Sequence, residues 1–252
     1  MADTAVPATT PVPRGAEPPL TLGERLGRLV GVLVAPVQTF NRIASRPTWV
    51  APLVLWMVLS AGVGFIVTPR LDMQAALRER MARAGTEVSD EQMQRVLAAQ
   101  ERFRPFAYAV VVVSPIATGL VVALLFWGAF SVAGAKALSY RQSFGVTLHA
   151  FIPQILASVA LGALVWPMDK VNPNQLGDLL CSSPACFAGS DLSPVVHALL
   201  QSLDIYVFWT LILLVIGYAT AAKVSRGMAT GIVGGVWIVY VIAKVALSGL
   251  FG

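Results

Sequence analysis

Five stretches, at about residues 49–67, 106–135, 144–166, 205–222 and 228–250, are apolar and long enough to cross the ~30 Å hydrocarbon core of a bilayer. Inside lipid every backbone polar group needs an internal partner, so such stretches are expected to be helices. The rest of the composition agrees. The 252 residues are 56% hydrophobic and 12% charged, about half the ~25% charge of soluble domains, with a mean hydropathy of +0.72. An ordinary cytosolic enzyme, a disordered chain and a collagen-like chain are all excluded. The expected fold is all-α, a polytopic membrane helix bundle with five transmembrane helices. Trp49, Tyr108, Trp166 and Trp209 sit near predicted span ends, where interfacial aromatics belong. Pro115 predicts a kink or tilt in the long second span.

Residues 1–20 carry Pro7, Pro11, Pro13, Pro18 and Pro19 among Ala and Thr and read as a disordered tail. They lack the basic start and apolar run of a signal peptide. Residues 21–46 are amphipathic. Leu22, Leu26, Leu29, Val30 and Leu33 fall at helical spacing with Glu24, Arg25 and Arg28 opposite, and Pro36 separates a second turn bearing Val37, Phe40 and Ile43. Neither piece can span. The expectation is an interfacial amphipathic helix anchored by Arg25, Arg28, Phe40 and Trp49, with a soluble-side helix packed on the bundle as the alternative. The five-span domain then occupies residues 47–252.

Residues 70–104 hold seven Arg and six acids, so the segment is nearly neutral. Gly85 divides it, and Ser89 with Gln92 three residues on forms a capping box. An extramembrane helical hairpin between spans one and two is expected. The second long loop, Met168 to about Leu203, contains both cysteines. The N-terminal flank and the loops near Lys136 and Lys223 are basic, whereas the Met168–Asp204 segment is net acidic. This places the N-terminus in the cytoplasm and the C-terminus outside. Cys181 and Cys186 then lie outside, where a disulfide persists, and a short ring between them is feasible. Free thiols remain the alternative. Arg far outnumbers Lys, which together with abundant Ala and Val suggests a bacterial source. No basic run marks a nucleic-acid stripe.

Several segments stand out together: Pro36-Val-Gln-Thr-Phe40-Asn-Arg-Ile43, then Arg46-Pro-Thr-Trp49-Val-Ala-Pro52-Leu, the hairpin, Ser139-Tyr-Arg-Gln-Ser-Phe144 leading to Pro153, Asp204-Ile-Tyr-Val-Phe-Trp209, and Ile216-Gly-Tyr through Lys223 to Arg226-Gly. In this order they resemble bacterial members of the Ypt-interacting protein (Yip) domain family. The resemblance covers roughly residues 30–250. It implies five spans, a cytosolic N-terminus and a non-enzymatic class. The family's eukaryotic members act with Rab-type GTPases in vesicle traffic and membrane shaping, and that partner is not carried over to this chain.

Ionisable groups within spans are costly. Asp204 opens span four and Lys244 lies at similar depth in span five, so they form a candidate ion pair, direct or through water. His149 and Gln154 in span three are expected to hydrogen-bond between helices. Gly227, Gly231 and Gly235 recur every four residues in span five and predict close packing on another helix, in the same chain or a second copy. Nucleotide, hydrolase and zinc-protease motifs are absent from the sequence, and no catalytic residue, metal site or cofactor is expected. The expected function is a non-enzymatic membrane protein that organises or shapes the bilayer or scaffolds partners. Its expected partners are membrane lipids, other proteins or further copies of itself. The alternative is a small transporter or channel for ions or small solutes, located like the first in a bacterial inner membrane.

Overall fold

The computed structural model describes residues 20–83, 85, 89–135, 137–188 and 192–251. The proline-rich tail, the tip of the hairpin and Lys136 lie outside them. All named elements are helical, and one isolated bridge, Leu71 with Val171, is the sole strand-type pairing among the described residues.

Two short helices, α1 (Leu22–Val34) and α2 (Pro36–Ser45), precede the first span, α3 (Val50–Val67). Pro36 enters α2 at its first turn, where its missing N–H is no loss. Beyond α3 come α4 (Met73–Arg83) and α5 (Asp90–Val132). Between them Gly85 takes φ +63°, the left-handed region that lets the chain reverse. The expected capping box at Ser89 starts α5. The helix does not stop before span two, however. It runs for 43 residues through Pro105 and Pro115, about 65 Å at 1.5 Å per residue. The outer arm of the hairpin and the second span are therefore one rod, half of it beyond the hydrocarbon.

Span three is broken into α6 (Tyr140–Ala150) and α7 (Ile152–Val165). Pro153 in the first turn of α7 cannot continue the α6 ladder, and Phe151 takes up the step with ψ near 0°. The following loop holds the single-turn α8 (Leu176–Leu179) and α9 (Pro194–Ser202). Spans four and five are α10 (Ile205–Ala221) and α11 (Arg226–Phe251). Among the described residues, four helical stretches are long and apolar enough to cross a membrane alone. The 17-residue α10 reaches that length with α9, from which it is bent by 49°.

The core lies toward the end of the bundle that carries α1, α2 and the two short connections. Tyr218, Phe40, Phe130 and Ile43 have no exposure. Tyr218 stacks on Phe130 with centroids 4.8 Å apart and leans on Phe126 at 5.0 Å. At Gly217 an added Cβ would meet Val146 at 2.6 Å and Phe40 at 2.9 Å, so α2, α6 and α10 approach too closely for any side chain there. Phe40 is thus core, correcting its expected place as an interfacial anchor. The physical reason is the glycine opposite, which opens a slot for the ring on α10.

At the far end the two long loops are tied together. The Asp72 amide donates to Val171 O at 2.8 Å and the Val171 amide to Arg70 O at 2.8 Å. Arg70 also donates to Met168 O and lies over the Trp166 ring. Asn172 and Asn174 both donate to Glu79 on α4.

Candidate functional site

The sequence of α1 builds a helix with two apolar faces. Thr21 and Glu24 form a reciprocal cap at its start: the Thr21 amide donates to Glu24 Oε2 at 2.8 Å and the Glu24 amide to Thr21 Oγ1 at 3.3 Å. The backbone hydrogen bond from Thr21, then its hydroxyl, hold the Glu24 carboxyl below the usual carboxylate range. Leu29 and Val32 turn into the bundle. Leu22, Leu26, Val30 and Val34, four residues apart, turn outward with exposures of 71, 50, 63 and 76%. Gly23 and Gly27 flank that stripe with nothing within 4 Å of an added Cβ.

Arg28 does not lie on the surface. It is 7% exposed, and its Nη1 donates to Arg46 O at 2.7 Å and to Thr48 Oγ1 at 3.0 Å. These bonds staple α1 to the elbow between α2 and α3. Burial, and after it the like charge of Arg46, pull Arg28 below the ordinary arginine value, while Glu24 pulls the other way. The group remains charged. Arg25 donates to Leu20 O at 3.2 Å. Trp49 is 36% exposed and packs on Phe144 with centroids 5.7 Å apart.

Behind the elbow lies a buried polar seam. An added Cβ at Gly145 would stand 3.2 Å from Thr48 O, and one turn on, His149 Nδ1 donates to Gly145 O at 2.8 Å. That bond lies within α6 and does not cross to another helix as expected. Gln154 does reach across, to Thr210 Oγ1, at a long 3.5 Å. Next to it three hydroxyls and a carbonyl form a closed chain. Thr147 Oγ1 is 2.8 Å from Tyr218 Oη, Tyr218 Oη is 2.6 Å from Ser143 Oγ, and Ser143 Oγ donates to Ala123 O at 2.7 Å. Because Ala123 O only accepts, the donors run from Thr147 to Tyr218 to Ser143. Every hydroxyl is paired, which locks α5, α6 and α10 together. Sequence reasoning missed this cluster, although the segments that resemble the Yip family contain Ser143 and Tyr218.

The remaining candidate residues separate. Cys181 and Cys186 stand at disulfide distance with Cα atoms 5.1 Å apart. Among the described residues Asp204 and Lys244 make no direct salt bridge, although the carboxylate's charge acts on Lys244. Asp204 Oδ1 accepts the Tyr206 and Val207 amides and caps α10, and its other oxygen accepts from the Ser182 hydroxyl. Lys244 reaches Ser202 Oγ at 3.4 Å instead. Two amide donors fixed by the helix start hold the Asp204 carboxylate at the end of α10. An added Cβ at Gly231 or Gly235 meets nothing within 4 Å, and at Gly227 only Ser225 at 4.0 Å. The stripe therefore has no helix partner within the described residues. Close helix approaches are made instead at Gly31, Gly64, Gly119, Gly162 and Gly217, and on α11 at Gly249 against Val195.

Residues 30–247 match the family model described as the Yip1 domain. No curated protein and no solved structure matches the chain.

Proposed function

The chain belongs to the Yip1 domain family, and from that premise we propose that it is a non-enzymatic integral membrane protein that organises or shapes a bacterial inner membrane. The observation carrying this reading is α1. It is fastened to the bundle by Arg28, Leu29 and Val32, yet offers a four-residue-spaced apolar stripe outward. A helix so held at the edge of a span bundle enters one leaflet as a wedge, burying that stripe at the headgroup boundary. The bundle fixes its depth and angle, which a free amphipathic helix does not have.

Sidedness follows from charge. Arg25, Arg28, Arg42 and Arg46 gather at the α1–α2 end, with Lys223 and Arg226 in a connection on the same side, so that end belongs in the cytoplasm. Five spans then put the C-terminus outside. The transport alternative gains no support from the groove of about 390 Å³ between α10 and α11. Phe208, Leu211, Val233 and Trp237 line it with one hydroxyl, Thr230, which suits acyl chains and not ions.

The test is reconstitution of the full chain into large liposomes followed by imaging of vesicle shape. Wild type is expected to narrow or tubulate vesicles in proportion to protein density. Leu26→Glu/Val30→Glu is expected to insert but leave vesicles round. Equal remodelling by both proteins refutes the wedge. Ion flux through wild-type liposomes refutes the non-transport reading.

A further inference from the structure

Helix α5 turns one side to the bundle. Gly119, Ala123 and Phe126 are buried there, and an added Cβ at Gly119 would stand 2.8 Å from Leu148 of α6. The other side carries a regular apolar file. Its spacing alternates three and four residues from Val96 through Ala99, Phe103 and Phe106 to Val110 and Val113. The same alternation runs on to Leu124, four heptads from its start, and every position in it is exposed. At 3.6 residues per turn the file lies opposite the buried side, and Pro105 and Pro115 both fall outside it. Such an alternation, held over four heptads, is the pattern of a coiled-coil seam.

Lipid tails reach only part of this seam. Hydrocarbon ~30 Å thick takes about 20 helical residues, which, counted back from the helix end at Val132, extend to about residue 113. Val96, Phe103 and Phe106 lie before that, in the stretch that holds Arg95, Arg102 and Arg104. They are the exposed large apolar side chains of α5 ahead of Val110, and all three fall on the seam. Phe103 and Phe106 are 64 and 68% exposed, so at ~150–250 Å² per ring the two alone offer roughly 250 Å². With the rest of the seam the total approaches the ~800 Å² per partner of a standard interface.

We infer that the Val96–Leu124 face of α5 is an interface with a second copy of this chain, the two rods pairing in parallel about a two-fold axis along the membrane normal. Copies inserted in one membrane share their sidedness. Their α5 rods therefore run the same way and bring each seam against itself at the same level. An identical helix matches the heptad phase at every turn, which a partner of other sequence would have to share. The flanking positions agree. In a parallel pair Arg95 faces the partner's Gln100 and Arg102 faces the partner's Ala107, so no like charges meet. The inference goes beyond the wedge and does not require that α1 enter the leaflet.

The experiment uses the full chain in a Cys181→Ser/Cys186→Ser background, in membranes of an expression host, under mild oxidation. Val96→Cys and Phe103→Cys are each expected to give a disulfide-linked dimer, several-fold more than Gln94→Cys, an exposed position off the seam. Linkage of each position to itself requires parallel rods in register. Adding Phe103→Glu to Val96→Cys is expected to abolish the linked dimer, and Phe103 is exposed, so the fold does not depend on it. Equal linkage at Gln94→Cys, linkage at one seam position alone or at neither, or a dimer that survives Phe103→Glu overturns the interface. Linkage to a protein of another mass in place of the dimer overturns the second copy as the occupant. All these variants leave the α1 stripe intact, so a failure here and a failure of the wedge are read separately.

Discussion

At the α1–α2 end of the bundle, Phe40, Ile43, Val32 and Tyr218 are wholly buried, and glycines let the helices close on them. At the opposite end the long loops are joined by polar links. Examples are Asp72 to Val171, Asn172 to Glu79, and His197 Nε2 to Asp178 at 2.8 Å, with the Cys181–Cys186 pair beside them. The difference teaches which end can bear load. Helices gain little from apolar transfer when the surroundings are lipid, so shape-matched packing and hydrogen bonds hold them. The α1–α2 end has both. It is therefore the more closely packed end, and the proposed wedge rests on it, while the loop end is held by polar links and the cysteine pair.

The comparison breaks most completely at Gly217. Gly217→Val forces methyls into Val146 and the Phe40 ring, and is expected to cost about 3 kcal/mol, unseating α2 and with it α1. Thermal unfolding of the detergent-solubilised protein measures it. Removal of the Cys181–Cys186 link by Cys181→Ser/Cys186→Ser is expected to cost about 2 kcal/mol at most, because the ring closed is short. Its signature is faster proteolysis between Met168 and Leu203, with α1 still protected. Tyr218→Phe strips the middle member from the hydroxyl chain and is expected to cost about 1 kcal/mol, read as a lower midpoint.

Smaller effects sharpen the contrast. The Glu24 carboxyl is held low by Thr21, so its capping contribution is complete above the unfolded carboxylate pKa of about 4.3. It is lost as pH falls through the still lower folded value. Amide exchange in the first turn of α1 is expected to speed up only under those acid conditions. Gly231→Leu is expected to change nothing within about 0.5 kcal/mol, since an added Cβ there meets no neighbour. A large loss in that variant would mean that a partner covers the stripe.

Length and apolarity made the spans legible, and the Ser89 capping box and Gly85 marked the hairpin turn. The expected span from about residue 106 lies within a helix that already begins at Asp90. The charged run up to Arg104 and Pro105 suggested a boundary, whereas a helix can leave the membrane without changing its backbone. Phe40 and the Gly227–Gly231–Gly235 stripe show the deeper limit. In a bilayer a face toward lipid and a face toward protein are equally apolar, so periodicity finds the face without saying what covers it. What decides is the residue opposite. Gly217 receives Phe40, and the α11 stripe receives no other helix among the described residues. The Thr147–Tyr218–Ser143 chain was illegible for another reason: its members lie 71 and 75 residues apart, and no local pattern pairs them. The capping role of Asp204 went unread because attention fell on Lys244, whereas a carboxylate at a helix start has donors in its own first turn.

The central claim is that α1 lies in the leaflet with Leu22, Leu26, Val30 and Val34 toward the acyl chains. A fluorescent probe at Leu26→Cys, in a Cys181→Ser/Cys186→Ser background reconstituted into liposomes, tests it most directly. Quenching by brominated lipid and protection from aqueous iodide is the predicted result. Quenching by iodide with indifference to brominated lipid would place α1 in water and contradict the account.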